Sequence, residues 1–325
     1  MKAIVQDTYG SPDVLKLEDI DKPLIGDDDL LVRVHAAGVD RGVWHIMTGL
    51  PYLIRIMGYG FRGPKTRVPG TDVAGCVEAV GTNVTQWQVG EEVFGTCEGA
   101  FAEYACVKHD KCVPKPANVT FEQAAAVPVS GITALQGVRD QGAVAAGQSV
   151  LVIGASGGVG TFAVQIAKAL GAEVTGVCST SKVDLVRSIG ADHVIDYTRE
   201  DVAETERRYD VILDIGGNRP LSHLRRALAP RGRLVMVGGE HGDRWIGGMA
   251  RPLRALVLSR FVSQKMGMFI AQVRQKDLLY LKDLIETGKV MPVIDNIYSL
   301  AEAAEAIRHL EAGQARGKVV VRIVE

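Results

Sequence analysis

The sequence predicts a mixed α/β chain in which a doubly wound parallel sheet follows a smaller β-rich region, and three observations carry that reading. An apolar run at residues 150–153 stops at a glycine cluster and restarts as a helical pattern with Phe162, Ile166 and Leu170. From residue 147 onward strand-like and helix-like segments alternate, as parallel strands joined by crossover helices do. Before residue 113 the texture is different: short alternating runs are punctuated by Gly10-Ser11-Pro12, Gly63-Pro64 and Pro69-Gly70, with no long helical pattern among them.

The β-rich region reads as strands at 2–5, 30–36, 75–80, 92–95 and 102–107. Composition shifts at Pro114-Lys115-Pro116-Ala117-Asn118, and Thr120-Phe121-Glu122-Gln123 before an alanine run has the form of a helix start, so the domain seam is placed there. Beyond it strands are expected at 150–153, 173–178, 193–195, 211–215 and 233–237, with a helix from 161 and helices over 182–188 and 221–228. A helical segment is expected over 251–288, then a short strand after Pro292, a helix over 300–310 and a final strand over 318–324.

With 325 residues, 47% hydrophobic composition and a formal net charge of −1, the chain has room for about two domains and no charge excess that would favour nucleic acid. No apolar run reaches the roughly 18 residues of a membrane span, and the N-terminus reads as a strand rather than a signal peptide. The five cysteines, Cys76, Cys97, Cys106, Cys112 and Cys178, include no C-x-x-C pair, so free thiols in a reducing cytoplasm are expected.

Glycines at 154, 157 and 160 permit a tight turn, close approach of backbone to a diphosphate and close packing of helix on strand. The helix start behind them, with Gly158 and Val159, offers unpaired N–H donors and the positive end of a helix dipole. A glycine triplet alone is weak evidence; here the strand before it and the helix after it are both legible. The next strand ends in Gly176-Val177-Cys178-Ser179-Thr180-Ser181-Lys182, with no carboxylate before Asp184. Without an acid to bond the ribose hydroxyls, these hydroxyls and Lys182 read as a 2′-phosphate site, and the cofactor as NADPH rather than NADH. The competing reading is that Ser179 to Ser181 cap the following helix.

Further stretches resemble a known family. Ala36-Ala37-Gly38-Val39-Asp40, Pro69-Gly70-Thr71-Asp72-Val73-Ala74-Gly75, Gly99-Ala100-Phe101-Ala102-Glu103-Tyr104, Gly190-Ala191-Asp192-His193-Val194-Ile195-Asp196-Tyr197 and Gly317-Lys318-Val319-Val320-Val321 look like the medium-chain dehydrogenase/reductase superfamily. Within it the chain is most similar to the zinc-independent quinone oxidoreductase, or zeta-crystallin-like, branch. The resemblance implies a GroES-like β-barrel domain built from residues 1–120 and 290–325, with an NAD(P)-binding Rossmann domain over 121–289. Zinc-dependent relatives carry a cysteine in the first motif and a Gly-His-Glu triplet in the second; here Asp40 and Thr71-Asp72 stand at those places, so no zinc is expected. Cys97, Cys106 and Cys112 are spaced too irregularly for a structural zinc lobe.

The activity implied is metal-free, NADPH-dependent hydride transfer to a quinone or an α,β-unsaturated carbonyl, an acceptor that is already electrophilic. Residue by residue, Gly157 and Gly160 match the glycine motif, with Gly154 in place of its usual alanine. Ser179, Lys182 and Tyr197 match the adenosine 2′-phosphate site, Thr133, Gly238 and Gly239 the nicotinamide half, and Arg316 a cofactor contact. Asp40 stands where the family often has asparagine, beside the nicotinamide ribose and the acceptor, and Tyr52 lies where a hydroxyl would orient a carbonyl oxygen. Each has a plainer reading: a helix-face lysine, a helix-interior threonine, a strand-ending turn, a packed loop aromatic. His45 reads as structural, and solvent is the expected proton source. The basic amphipathic stretch 251–262 reads as a flap over the cofactor with apolar residues available for self-association, and the branch tends to form homodimers. Two alternatives stand beside this: a zinc-free NAD(P)-dependent alcohol or carbonyl oxidoreductase, and a non-catalytic NADPH-binding sensor.

Overall fold

The computed structural model describes residues 1–202, 207–216, 218–238 and 244–324. In chain order the elements are β1 (Lys2–Val5), β2 (Lys16–Asp19), β3 (Asp29–Val39), α1 (Arg41–Thr48), β4 (Asp72–Val80), β5 (Glu92–Thr96), β6 (Tyr104–Lys108), β7 (Cys112–Pro114), α2 (Phe121–Ala125) and α3 (Pro128–Leu135). Then come β8 (Ser149–Ile153), α4 (Gly158–Ala169), β9 (Glu173–Cys178), α5 (Val183–Ser188), β10 (His193–Asp196), β11 (Tyr209–Asp214), α6 (Leu221–Ala227) and β12 (Leu228–Met236). The chain continues through α7 (Ala250–Leu258), β13 (Lys265–Met268), α8 (Gln275–Glu286), β14 (Ile294–Ser299), α9 (Ala303–Glu311) and β15 (Lys318–Arg322). Two compact units result: Met1–Ile132 with Val273–Gly288 and Pro292–Glu325, and Thr133–Gln272 with Lys289–Met291.

The first unit holds a seven-stranded sheet in the order β14-β15-β3-β4-β5-β7, with β6 also on β3, and the antiparallel pair β1-β2. Leu30, Val32 and Val34 alternate inward along β3 while Arg33 faces out, the period of a half-buried strand. From Ala36 onward β3 is buried at every residue, because β15 pairs with one of its edges and β4 with the other while α2 covers it. The core gathers Val43 and Met47 of α1, Phe101, Ala306 and Ile307 of α9, and Val319 and Val321 of β15. α2 starts in the capping box that Thr120 and Gln123 predict. α1 is an eight-residue helix in a region where the sequence shows no long helical pattern. Its signal is short: Asp40 caps it, and Gly49 ends it in the left-handed conformation.

The second unit is a six-stranded parallel sheet in the order β10-β9-β8-β11-β12-β13. Its strands read as near-continuous apolar runs because helices cover both faces; Leu151, Ile212 and Leu234 are buried together with Leu224 of α6 and Ala255 of α7. The single helical segment expected over 251–288 is corrected. α7 stops at Ser259, whose hydroxyl donates to the Gln264 carbonyl and accepts from the Met266 N–H. The chain then takes up the open edge of β12 as β13 before α8 begins in the other unit.

Candidate active site

In the sheet of parallel strands, β8 ends at Ile153 and the chain turns through Gly154 at φ +82°, a conformation that costs other L-residues about 1–2 kcal/mol. The Gly154 and Ala155 N–H groups both donate to the Val177 carbonyl of β9, at 3.2 and 3.1 Å. Gly160 packs so closely on this corner that a Cβ there would lie 2.0 Å from the Gly154 carbonyl oxygen. α4 begins at Gly158 after the N-cap residue Gly157, which has no side chain to satisfy the first-turn amides of Gly158, Val159 and Gly160. First-turn amides without a side-chain cap and the positive end of the helix dipole suit this corner to an anion.

The next strand, β9, delivers Ser179 and the turn Thr180–Lys182 at the same end of the sheet. Neither this turn nor α5 has a side-chain cap, so these hydroxyls do not serve the helix. Thr180 instead donates to Asp196 at the end of β10, at 2.5 Å. Ser179 and Lys182 are part-exposed, and Tyr197 stands out beside them at 55% exposure, its N–H held by the Cys178 carbonyl. Thr133 lies part-buried on α3, and Gly238 follows β12 beside the Ile215 carbonyl. Gly239 lies outside the described residues.

The other unit places Asp40 and Thr71-Asp72 on neighbouring strand ends. Asp40, 7% exposed, accepts the Val43 N–H at 3.1 Å as the cap of α1 and the Thr71 hydroxyl at 3.4 Å. Asp72 is fully buried at the start of β4, where one oxygen accepts the Val129 N–H at 2.8 Å and the other the Lys318 ammonium at 3.2 Å. Lys318, also buried, donates in addition to Ser130 Oγ at 3.1 Å. Burial pushes the Asp72 carboxyl up to about 7 against the pull of Lys318. The sequence motif shows Lys318, but nothing in the pattern pairs it with an aspartate 246 residues away. Tyr52 is part-buried with the Arg55 guanidinium 4.7 Å from its ring centre, and Arg55 also stacks on Tyr9 at 4.4 Å. His45 Nδ1 lies 2.7 Å from the Leu50 carbonyl oxygen, and Arg316 is exposed ahead of β15.

These positions do not suit a zinc ion. Among Asp40, Thr71 and Asp72 there is no thiolate or imidazole, and an ammonium already occupies one carboxylate.

Comparison with known proteins agrees with both halves. Residues 26–117 match the alcohol dehydrogenase GroES-like domain and residues 189–321 the family described as zinc-binding dehydrogenase. The NADPH-dependent alkenal/one oxidoreductase, chloroplastic, of Arabidopsis thaliana is 34% identical over 99% of this chain and 79% of its own length. Human quinone oxidoreductase is 32% identical over 99% of this chain and 97% of its own. The solved quinone oxidoreductase of Coxiella burnetii superimposes with a TM-score of 0.87 at 28% identity, covering 100% of this chain and 99% of that one. The chain belongs to the medium-chain dehydrogenase/reductase superfamily, and within it to the quinone oxidoreductase branch.

Proposed function

We propose that this protein is an NADPH-dependent oxidoreductase that reduces a quinone or an α,β-unsaturated carbonyl without a metal ion. The observation that carries this reading is a glycine corner whose first-turn amides lack a side-chain cap, beside a strand end, Ser179 to Lys182, that lacks any carboxylate. The similarity to a quinone oxidoreductase and to an NADPH-dependent alkenal/one oxidoreductase supports the acceptor class. Metal independence is supported by the donor set: Asp72 is committed to Lys318, and Asp40 to α1.

When bound, the reduced nicotinamide supplies the hydride. Gly154, Gly157, Gly158, Val159 and Gly160 hold the diphosphate, while Ser179 and Lys182 bond the 2′-phosphate and Tyr197 packs beside the adenosine. Thr133 and Gly238 orient the nicotinamide half. Tyr52 steers the acceptor carbonyl through its hydroxyl. Asp40 shapes the acceptor's surroundings and fixes α1; its oxygens already accept from Val43 and Thr71. One hydride and one proton from water complete the two-electron reduction. In functional terms residues 1–120 and 290–325 serve catalysis and 121–289 nucleotide binding, with α2 and α8 of that span packed in the first unit.

The protein works as a cytoplasmic homodimer. Free cysteines suit a reducing compartment, and exposed Leu253, Leu256, Val257 and Phe261 beside the edge strand β13 suit self-association. The deciding experiment follows absorbance of the reduced nicotinamide with a simple quinone, an enone and an aldehyde. Oxidation of NADPH by quinone or enone is expected. Binding of NADPH without any oxidation, or turnover with aldehyde alone, would overturn the reading.

A further inference from the structure

We propose that Arg199 is a second cationic contact for the dinucleotide's 2′-phosphate, and that it also masks the Asp196 carboxylate, which would otherwise repel that phosphate. The inference rests on the NADPH reading above. β10 runs parallel to β9 with Asp196 opposite Cys178, so the turn carrying Arg199 leaves the sheet next to the one carrying Ser179 and Lys182. Asp196 joins the two turns. It accepts from Thr180 Oγ1 at 2.5 Å, from Thr198 Oγ1 at 2.7 Å and from the Thr198 N–H at 3.0 Å. Arg199 Nε lies 3.4 Å from the Asp196 oxygen that Thr180 also meets.

A carboxylate this near a phosphate site should oppose phosphate, as an acid on the adenosine side does in sites that select NADH. Here the charge is turned inward. Asp196 is only 8% exposed, three neutral donors occupy it, and one guanidinium balances it. The Arg199 side chain, in contrast, is 73% exposed and meets Asp196 through Nε, leaving its terminal N–H groups open to a ligand. An arginine reads a phosphate with paired donors where lysine offers a point charge. Removing Arg199 therefore acts twice: a contact is lost, and the Asp196 charge is uncovered.

The test is a fluorescence titration of the full chain with NADPH and with NADH, on wild type, Arg199→Gln and the Arg199→Gln/Asp196→Asn double variant. We expect Arg199→Gln to weaken NADPH at least tenfold and NADH less than twofold, and the second substitution to recover at least threefold of the NADPH loss. Arg199→Gln that keeps the wild-type ratio of affinities overturns the assignment, as does an equal loss for both nucleotides, the mark of a merely structural role. No recovery in the double variant overturns the part given to Asp196. A wild type that binds NADH as well as NADPH, or neither, overturns the NADPH reading and this inference with it. A wild-type preference for NADPH that is undiminished in Arg199→Gln overturns this inference alone.

Discussion

Lys318 keeps an ammonium out of reach of water, and its neighbours dictate how the protein should respond to pH. The folded-state pKa of Asp72 lies above its unfolded value of 3.8, so the protonated form favours folding. The stability this group contributes is complete below about pH 4 and is lost as pH rises through about 7. Urea unfolding from pH 4 to 8 should show that fall in wild type, and Asp72→Asn should flatten it. Lys318→Met removes the cation that tolerates ionised Asp72; it should cost about 3 to 5 kcal/mol at pH 8 and less at pH 5, where Asp72 is already protonated. At the other unit's strand ends, Lys182→Ala should raise the Michaelis constant for NADPH far more than for NADH. A lost charge-assisted contact is worth about 1.5 to 3 kcal/mol, and equal effects on both cofactors would contradict the phosphate role.

Among the elements, the corner from β8 to α4 tolerates least. Gly160→Ala puts a methyl against the Gly154 carbonyl, so α4 must shift; NADPH binding should disappear in a thermal-shift assay, with lowered stability. Gly154→Ala meets a positive φ instead and should cost about 1–2 kcal/mol of stability in denaturant unfolding. This corner was legible in the sequence because an apolar strand, three glycines and a helical period stand in one short stretch. α2 was legible for a similar reason, since its capping box is local. β13 was not: Lys265-Met266-Gly267-Met268 has no strand pattern of its own and is extended because β12 offers an open edge. α1 hid behind its length, and Asp40 read as a site residue when its side chain also caps a helix. Bonds between distant segments, such as Asp72 to Lys318 or Thr180 to Asp196, leave no periodic trace at all.

For the molecule as a whole, a polar barrel site without thiolate or imidazole predicts that turnover is indifferent to metal removal. Dialysis against a strong chelator should leave the rate of NADPH oxidation unchanged; loss of activity restored by zinc would contradict this. Dimerisation should appear in sedimentation equilibrium, and charged residues at Leu256 and Phe261 should weaken it. The return of β15 to pair with β3 has a consequence for how the protein is made. While the nascent chain is still on the ribosome, the early strands have neither their neighbour Val319–Val321 nor the buried ammonium that meets Asp72. The parallel-sheet unit, almost continuous in the chain, can close first, and the segment synthesised earliest must wait for one of the latest before its interior is sealed.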